Sequence, residues 1–569
     1  MRRRRGVVAA LVAGIASSLI VLGWHVLSAG GWTVWEALIL ACLAVNAPWL
    51  GLAGATGLIG FAIRMLSPDP LAAVLPVMRQ PGWQEAAIGA RTVIAVCVRC
   101  EDMEAVLPSL KRLLARLRAS AASADRFRLA ILSDTPDGAT ALAEAAAAAS
   151  LAAGFPAGAV RYRRRARNSG YKAGNLMDFL DRDAEDEFLL LLDADSVMSA
   201  AAVTRLVRLM QADRRLAILQ PTTCGHGATT RFARAFSLGQ RHGMRIWATG
   251  QAWWQGPEGA FWGHNALIRI APFRTHARLP PLPDGEAILS HDQVEAALLH
   301  GAGWAVRVLP DDVGSFERHP PDLLACLDRD IRWARGNLQY RYLLQRPDLG
   351  RVGRLQMVQA ILHYALTPFW FALLPLAALN VATGGGEGTS RIWLLVLLAA
   401  GFLLLHLPKL AGHAEALLRP EPRLARLRKI LGEIAASVAA DAIMAAERTW
   451  LILAFAAGTP AGWDLQQRDG RSLPWGATAR RLRFSMVVGL GSLALLSCGG
   501  LFPVLVTAPV WMPLLLAVPF VVLTADPAYA TAEDVRSGSD AIRRSPRERP
   551  EPGRHPEPVP GEGVPGSEP

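Results

Sequence analysis

Charged side chains are scarce in this 569-residue chain. Asp, Glu, Lys and Arg make up 19% of it and hydrophobic residues 52%, whereas ordinary soluble domains carry about 25% charge. That balance excludes a collagen-like or wholly disordered chain and argues against a purely water-soluble enzyme. The six cysteines are scattered, several of them in apolar segments, which argues against a disulfide framework and suits a reducing compartment or lipid. There is no G-x-x-x-x-G-K-[ST] loop, and no G-x-G-x-x-G follows the first predicted strand, so P-loop and dinucleotide sites lose their sequence basis. His264, His291 and His319 form no H-E-x-x-H or Cys/His pattern, which argues against zinc. Cys97-Val98-Arg99-Cys100 is a C-x-x-C without a second pair, so it carries no metal or redox reading. No internal repeat is present.

Long apolar runs are present instead, together with a formal net charge of +12. That charge fits nucleic acid, an anionic membrane or an anionic substrate. Four arginines, Arg2 to Arg5, precede an apolar stretch at residues 6–27. It is longer than the apolar core of about 7–15 residues in a signal peptide, and a second stretch follows at 33–63. Both are long enough to cross a bilayer. The basic start should stay in the cytoplasm, so two crossings return the chain there. This predicts two N-terminal spans (1–64), a cytoplasmic block (65–353), a pair of spans at 355–381 and 392–410 (354–411), and a last pair at 484–501 and 504–523 (484–524). Residues 430–455 carry Glu433, Asp441, Glu447 and Arg448, each costly at a bilayer centre. The segment is read as a helix in the membrane interface, within a cytoplasmic stretch 412–483. Both termini then lie inside, and the Pro-, Glu- and Arg-rich tail (525–569) cannot bury enough apolar surface to order itself.

Within the central block, apolar strands at 91–98, 127–132, 160–163 and 188–192 alternate with helical stretches, which indicates a mostly parallel α/β sheet. In such sheets ligands bind beyond the carboxyl ends of the strands. Glu101, Asp102, Asp134, Asp193 and Asp195 fall at that edge. Asp193 and Asp195, two residues apart on extended backbone, project to the same side. They can face one hard divalent cation, which retains waters and substrate phosphates.

Asp134, Asp193-Ala194-Asp195, Asp292 and Arg329-Asp330-Ile331-Arg332-Trp333 stand in the order of a processive family 2 glycosyltransferase. The last element resembles Q-x-x-R-W, with Arg329 in place of Gln. The runs Leu192 to Ser199, Trp262 to Ala266, Ala287 to Asp292 and Arg332 to Leu338 closely resemble the inner-membrane synthases of osmoregulated periplasmic glucans, over about residues 91–523. The resemblance implies a multi-pass α-helical membrane protein with a cytoplasmic α/β GT-A-type domain. It also implies UDP-glucose as donor, a divalent cation (Mg²⁺ or Mn²⁺), a growing β-1,2-glucan chain as acceptor, inner-membrane lipids, and protein partners in glucan processing. The chain departs from the family at the first strand's end. There P-x-C-N-E is replaced by Cys97-Val98-Arg99-Cys100-Glu101, and only the Glu is kept. Synthesis of another polymer, such as cellulose, and a silent UDP-glucose-binding regulator are the competing readings. Intact Asp193, Asp195, Asp292 and Arg332-Trp333 argue against the regulator.

The resemblance assigns roles residue by residue. Asp292 is the catalytic base. Glu101, Asp134, Lys172, Asp193 and Arg332 bind the donor nucleotide. Asp195, with Asp193, holds the cation. Trp262, His264, Asn265 and Trp333 bind the acceptor. Independently of the family, an arginine fork suits phosphate, and an indole face suits a sugar ring. Arg161, Arg163, Arg164, Arg165 and Arg167 lack an aromatic stacking platform, so nucleic acid is not expected and a solvated basic edge is. The loop at 466–470 is expected to act as a lid over the nucleotide.

Overall fold

The computed structural model describes residues 1–120, 123–418, 423–456 and 470–527. The expected tail beyond 527 and residues 466–469 of the expected lid lie outside the described residues. In the central block, β1 (Thr92–Val98), β2 (Phe127–Ser133), β3 (Val160–Arg164) and β4 (Phe188–Asp193) run parallel. They continue into β5 (Val197–Met198), β6 (Leu216–Pro221), β7 (Cys224–Gly225), β8 (Ala266–Arg269), β9 (Ala305–Leu309) and β10 (Ser315–Glu317). Seven strands form one sheet in the order β3-β2-β1-β4-β8-β6-β9, with β8 antiparallel to both neighbours. The short strands β5, β10 and β7 form a second sheet. This is the mixed α/β arrangement expected of a GT-A-type domain.

Period-two alternation divides the inner strands between two apolar layers. Ile94, Val96, Leu190 and Leu192 share one layer with Leu114 and Leu206, from the helices Met103–Leu117 and Ala200–Ala212. Val93, Ala95, Leu189 and Leu191 share the other with Leu176 and Phe179 of Tyr171–Arg182. Covering on both faces explains why these strands read as unbroken apolar runs. The register sets Cys97 beside Asp193 and Val98 beside Ser133, so the acids that follow β2 and close β4 come to one edge.

Among the described residues, four helices are long and apolar enough to cross a membrane: Arg2–Leu27, Val34–Leu66, Arg351–Ala382 and Arg391–Leu417. They coincide with the first four expected spans. The last expected pair differs in shape. Arg483–Ser497 has 15 residues, about 22 Å of rise against a hydrocarbon core of about 30 Å. The second stretch is broken into Leu501–Leu515 and Ala517–Ala525, bent by 61°. Pro519 has no N–H to give Leu515, and its ring crowds that carbonyl. The long helix Arg423–Ala456 is not apolar enough to count as a span. Three of its charges are met by side chains on other elements. Glu433 pairs with Lys409 and His413, Glu447 with Arg481 and Ser485, and Arg448 with Asp330.

Helix Arg231–Gln255 joins the domain to the spans. It crosses Val34–Leu66 where small residues face each other. A Cβ on Gly60 would stand 2.0 Å from the Ile246 carbonyl, and one on Gly250 would stand 2.1 Å from the Thr56 carbonyl. Only glycine allows that backbone approach. The basic start of the chain meets the same region. Arg4 donates to the Trp253 carbonyl at 3.1 Å, and Arg5 pairs with Glu258.

Candidate active site

At the end of β4 the chain turns through Asp193-Ala194-Asp195 and returns as β5. Lys172, in the first turn of Tyr171–Arg182, reaches this edge. Its Nζ contacts Asp193 Oδ1 and donates to the Gly263 carbonyl at 2.6 Å. Burial pulls the ammonium's pKa down, but Asp193, Cys97 and Asp292 together outweigh it, so Lys172 is raised and stays charged. Burial pushes the neighbouring Cys97 thiol up to about 12, leaving it a neutral filler. The Asp195 carbonyl accepts from His226 Nε2 at 3.2 Å, which ties the turn to the small sheet. Asp193 and Asp195 supply hard oxygen donors two residues apart, and the Lys172 ammonium marks the position as one that accepts positive charge. Among the described residues no three His, Cys, Asp or Glu side chains form a self-contained metal site. A set of one or two carboxylates fits a cation whose remaining ligands are water and diphosphate.

Asp134 follows β2 and is held by Arg165, whose Nε and Nη2 donate to Oδ1 and Oδ2 at 2.8 and 3.0 Å. Both side chains are only 8% exposed. The expected solvated basic edge holds at Arg161 and Arg167, which are exposed, and is corrected at Arg165 and Arg163, which are not. Arg161 and Arg163 pair with Asp183, and Arg164 pairs with Asp137, so acids of neighbouring elements absorb most of the run. Glu101 stands at the same edge, after Cys100, which adopts a left-handed φ of 55°. The Cys100 N–H donates to Thr135 Oγ1 at 2.8 Å, pinning the two loops together.

The second half of the site is a loop and two helix ends. Trp262-Gly263-His264 is clamped by the fully buried Gln220 on β6. Its Oε1 accepts from Trp262 N at 2.7 Å, and its Nε2 donates to the His264 carbonyl at 2.7 Å. Gly263 has φ +80° and abuts Asp292, because a Cβ there would stand 3.7 Å from Asp292 Oδ2. Asn265 is fully buried, and its amide donates to Ser315 Oγ and the Phe316 carbonyl at 3.0 and 3.2 Å. It therefore anchors the loop rather than facing an opening. Asp292 begins helix Asp292–Gly301. Burial raises its pKa, with Glu295 adding to the rise and His291 and the helix-start amides opposing it. Burial pulls His291 down, but Glu295, 3.0 Å away, and Asp292 leave it raised.

Arg332 and Trp333 lie on helix Leu323–Gln339, Arg332 half-buried and Trp333 47% exposed. Arg329 lies over the Trp333 ring, 4.6 Å from its centroid, a cation–π contact made by the residue that replaces the family's Gln. The helix also holds the segment before Asp292. A Cβ on Gly336 would stand 2.2 Å from Ser290 Oγ. Leu289 N donates to Gln339 Oε1 at 2.9 Å, and Tyr340 OH donates to the Ser290 carbonyl at 2.7 Å. On its other side Asp330 accepts from Arg448 Nη2 at 2.8 Å.

Glu317 on β10 links these parts. It faces His264 Nε2 at 3.4 Å and His319 Nε2 at 3.3 Å. Burial alone would raise its carboxyl, but His264, His319 and Arg329 hold it at about 2. The structure thus brings Lys172, Asp193 and Asp292 together around Gly263, and sets Arg332-Trp333 one turn from Gly336 at the Asp292 loop. Sequence reasoning missed Gln220, Glu317 and Gly336, and gave Arg165 only a solvated role. Gly336 lies inside a quoted motif and was the one within reach. Arg165 and Gln220 act through partners more than 30 residues away, and Glu317 acts through His264 as well as its near neighbours His319 and Arg329.

Residues 93–276 match Glycosyl transferase family 2, and residues 188–406 match Glycosyl transferase family group 2. A glucans biosynthesis glucosyltransferase H of Xanthomonas campestris pv. campestris (strain B100) is 33% identical over 557 residues, covering 90% of this chain and 84% of that one. One of Caulobacter vibrioides (strain NA1000 / CB15N) is 33% identical over 549 residues, covering 89% and 80%. Among solved structures, the mannosyltransferase PcManGT from Pyrobaculum calidifontis in complex with GDP-Man and Mn²⁺ aligns at 15% identity and a TM-score of 0.44. That alignment covers 68% of this chain and 100% of that one, a likeness too slight to carry an argument.

Proposed function

This chain belongs to the glucans biosynthesis glucosyltransferase H family and is a membrane-associated glycosyltransferase, and from that premise we propose that it polymerises glucose from UDP-glucose into the β-1,2-glucan backbone of osmoregulated periplasmic glucans. The observation that carries this reading is the bridge through Gly263. Lys172 contacts Asp193 and donates to the Gly263 carbonyl, while Gly263 abuts Asp292. One residue so joins the donor edge to the base.

In this reading an acceptor hydroxyl oxygen attacks the anomeric carbon as the bond to the diphosphate oxygen breaks, so the configuration inverts. The hydroxyl proton passes to Asp292, and UDP carries away the electron pair. A carboxyl raised by burial is a better proton acceptor near neutral pH than an exposed aspartate. Arg332 and Lys172 offset charge on the leaving diphosphate, and Trp333, Trp262 and His264 receive the acceptor sugar. Asp193 and Asp195 would hold a divalent cation, Mg²⁺ or Mn²⁺, which when bound offsets diphosphate charge. Glu101 and the Asp134–Arg165 pair bind the nucleoside end. The catalytic domain and the N-terminus face the cytoplasm of a bacterial inner membrane, in line with the positive-inside bias and with the contacts of Arg4 and Arg5 to the domain.

The test is to incubate the full chain, purified in detergent, with UDP-glucose and Mg²⁺ or Mn²⁺, followed by linkage analysis of the product. β-1,2-linked glucan is expected. A polymer of another linkage, or none, removes the proposal.

A further inference from the structure

Away from the catalytic cleft, a cavity of about 390 Å³ opens between three helices, Arg231–Gln255, Arg391–Leu417 and Arg423–Ala456. The first helix presents Leu238, Arg241, His242 and Arg245 to it, an i, i+3, i+4, i+7 stripe on one face. The second contributes Gly412, Glu415 and Ala416, and the third Ala425, Arg426 and Lys429. The lining therefore carries four cationic side chains against one carboxylate. That carboxylate, Glu415, accepts from Arg64 Nε and Nη2 at 2.7 Å each and lies 3.9 Å from Arg245 Nη2, so it serves an arginine outside the lining as well as one within it. Gly412 to Ala416 follow directly on the apolar part of Arg391–Leu417, on the side where the catalytic domain packs. In a bilayer that is the level of the headgroups. Basic pockets between helices at that level suit phosphate-bearing headgroups, and arginine forks match phosphate oxygens in pairs.

We infer that this cavity is a binding site for a phosphate-class anion, supplied either by the headgroup of an anionic phospholipid or by a soluble phosphate compound. The inference does not depend on the sugar or the linkage proposed above. An occupant would touch Arg241, which also pairs with Asp312, three residues before β10, and so would bear on the helix that joins the spans to the domain.

The experiment uses the full chain in detergent, stripped of lipid. Native mass spectrometry counts adducts after addition of phosphatidylglycerol or phosphatidylethanolamine, and equilibrium dialysis measures labelled orthophosphate. Wild type should retain phosphatidylglycerol in preference to phosphatidylethanolamine. The double variant Arg426→Gln, Lys429→Gln should weaken that retention by about 30-fold, counting two surface cations. Lys429→Arg, which keeps the charge, should retain it, and an unaltered gel-filtration profile and circular dichroism of the double variant separate its loss from a folding failure. Binding of orthophosphate, without phosphatidylglycerol, that the double variant loses would assign the soluble source. Equal retention of both lipids without orthophosphate binding that the double variant loses, or a double variant that binds phosphatidylglycerol and orthophosphate as wild type does, overturns the inference.

Discussion

The donor side of the cleft stands on the ends of neighbouring parallel strands, and the acceptor side is assembled from a loop and two helix ends. On the donor side, register alone aligns Cys97 with Asp193 and Val98 with Ser133, and short ion pairs fix the side chains. On the acceptor side the sheet supplies only part of the frame, the Trp262 loop entering β8 and Gln220 closing β6 at that edge, and helix ends supply the rest. Gln220 clamps the Trp262 loop, while Gly336, Gln339 and Tyr340 hold the approach to Asp292. The acceptor side is also joined to Arg423–Ala456 through Asp330 and Arg448, so it is mechanically continuous with the membrane helices. A nucleotide cleft can be rigid, whereas the acceptor side has to receive a chain that changes position after each addition.

The largest effect should come from the residue at the junction. Asp292→Asn should lower transfer by about 10²–10⁴-fold with donor binding kept, read by turnover and by UDP-glucose titration. Burial raises the Asp292 carboxyl, and its ionised form is the proposed base. The acid limb of the rate profile should therefore lie above the ordinary aspartate range, with the rate rising as pH increases through it. An acid limb in wild type at or below the range of an exposed aspartate would remove Asp292 from that role. On the donor side, Asp195→Asn should lower turnover by about 10²–10³-fold and raise the cation concentration needed for half-maximal rate. An unaltered cation dependence would move the metal elsewhere.

This contrast also explains what the sequence disclosed. The sheet was legible because strands covered on both faces are continuous apolar runs ending in acids, as Phe188 to Asp193 does. The four helices long and apolar enough to cross a membrane were legible for the same reason, an uninterrupted composition. The break at Leu516 was not, although Pro519 was visible, because a proline can bend a helix or be accommodated in it. Asp292 and Arg332-Trp333 came from motif resemblance rather than local pattern. Gln220 and Glu317 gave little local signal. Each is a polar residue in a short strand, and its role exists only once the two sheets pack together and set β6, the Trp262 loop and β10 near one another. Arg165 misled because a run of arginines looks solvated until Asp134, Asp137 and Asp183 come beside it.

A substitution remote from the reacting atoms tests whether the acceptor side depends on its clamps. Gly336→Ala adds one methyl group 2.2 Å from Ser290 Oγ, so the Ser290 segment must move and carry Asp292 with it. A displacement of about 1 Å can cost about 10²-fold in rate, and the loss should fall on kcat while the KM for UDP-glucose stays near wild type. Equal damage to both would mean that the two sides are one rigid unit.

Glu317→Gln should give the smallest change and the finest distinction. Its carboxylate is held at about 2 because, against the opposing effect of burial, His264, His319 and Arg329 all face it, and it stays charged across the working pH range. The amide keeps the shape and removes the charge. His264 and Arg329 then lose a common anchor, and Trp333, under Arg329 at 4.6 Å, loses part of its support. Charged hydrogen bonds of this kind are worth about 1.5–3 kcal/mol, but neighbouring side chains can rearrange, so a loss of about tenfold is expected. It should appear as shorter product chains and altered Trp fluorescence, with donor cleavage little affected, because Lys172 is held by Asp193 and the Gly263 carbonyl. If donor cleavage fell in step with chain length, the anchor would serve the donor edge through β10, β5 and the Asp195 turn, and the division between the two sides would have to be redrawn there.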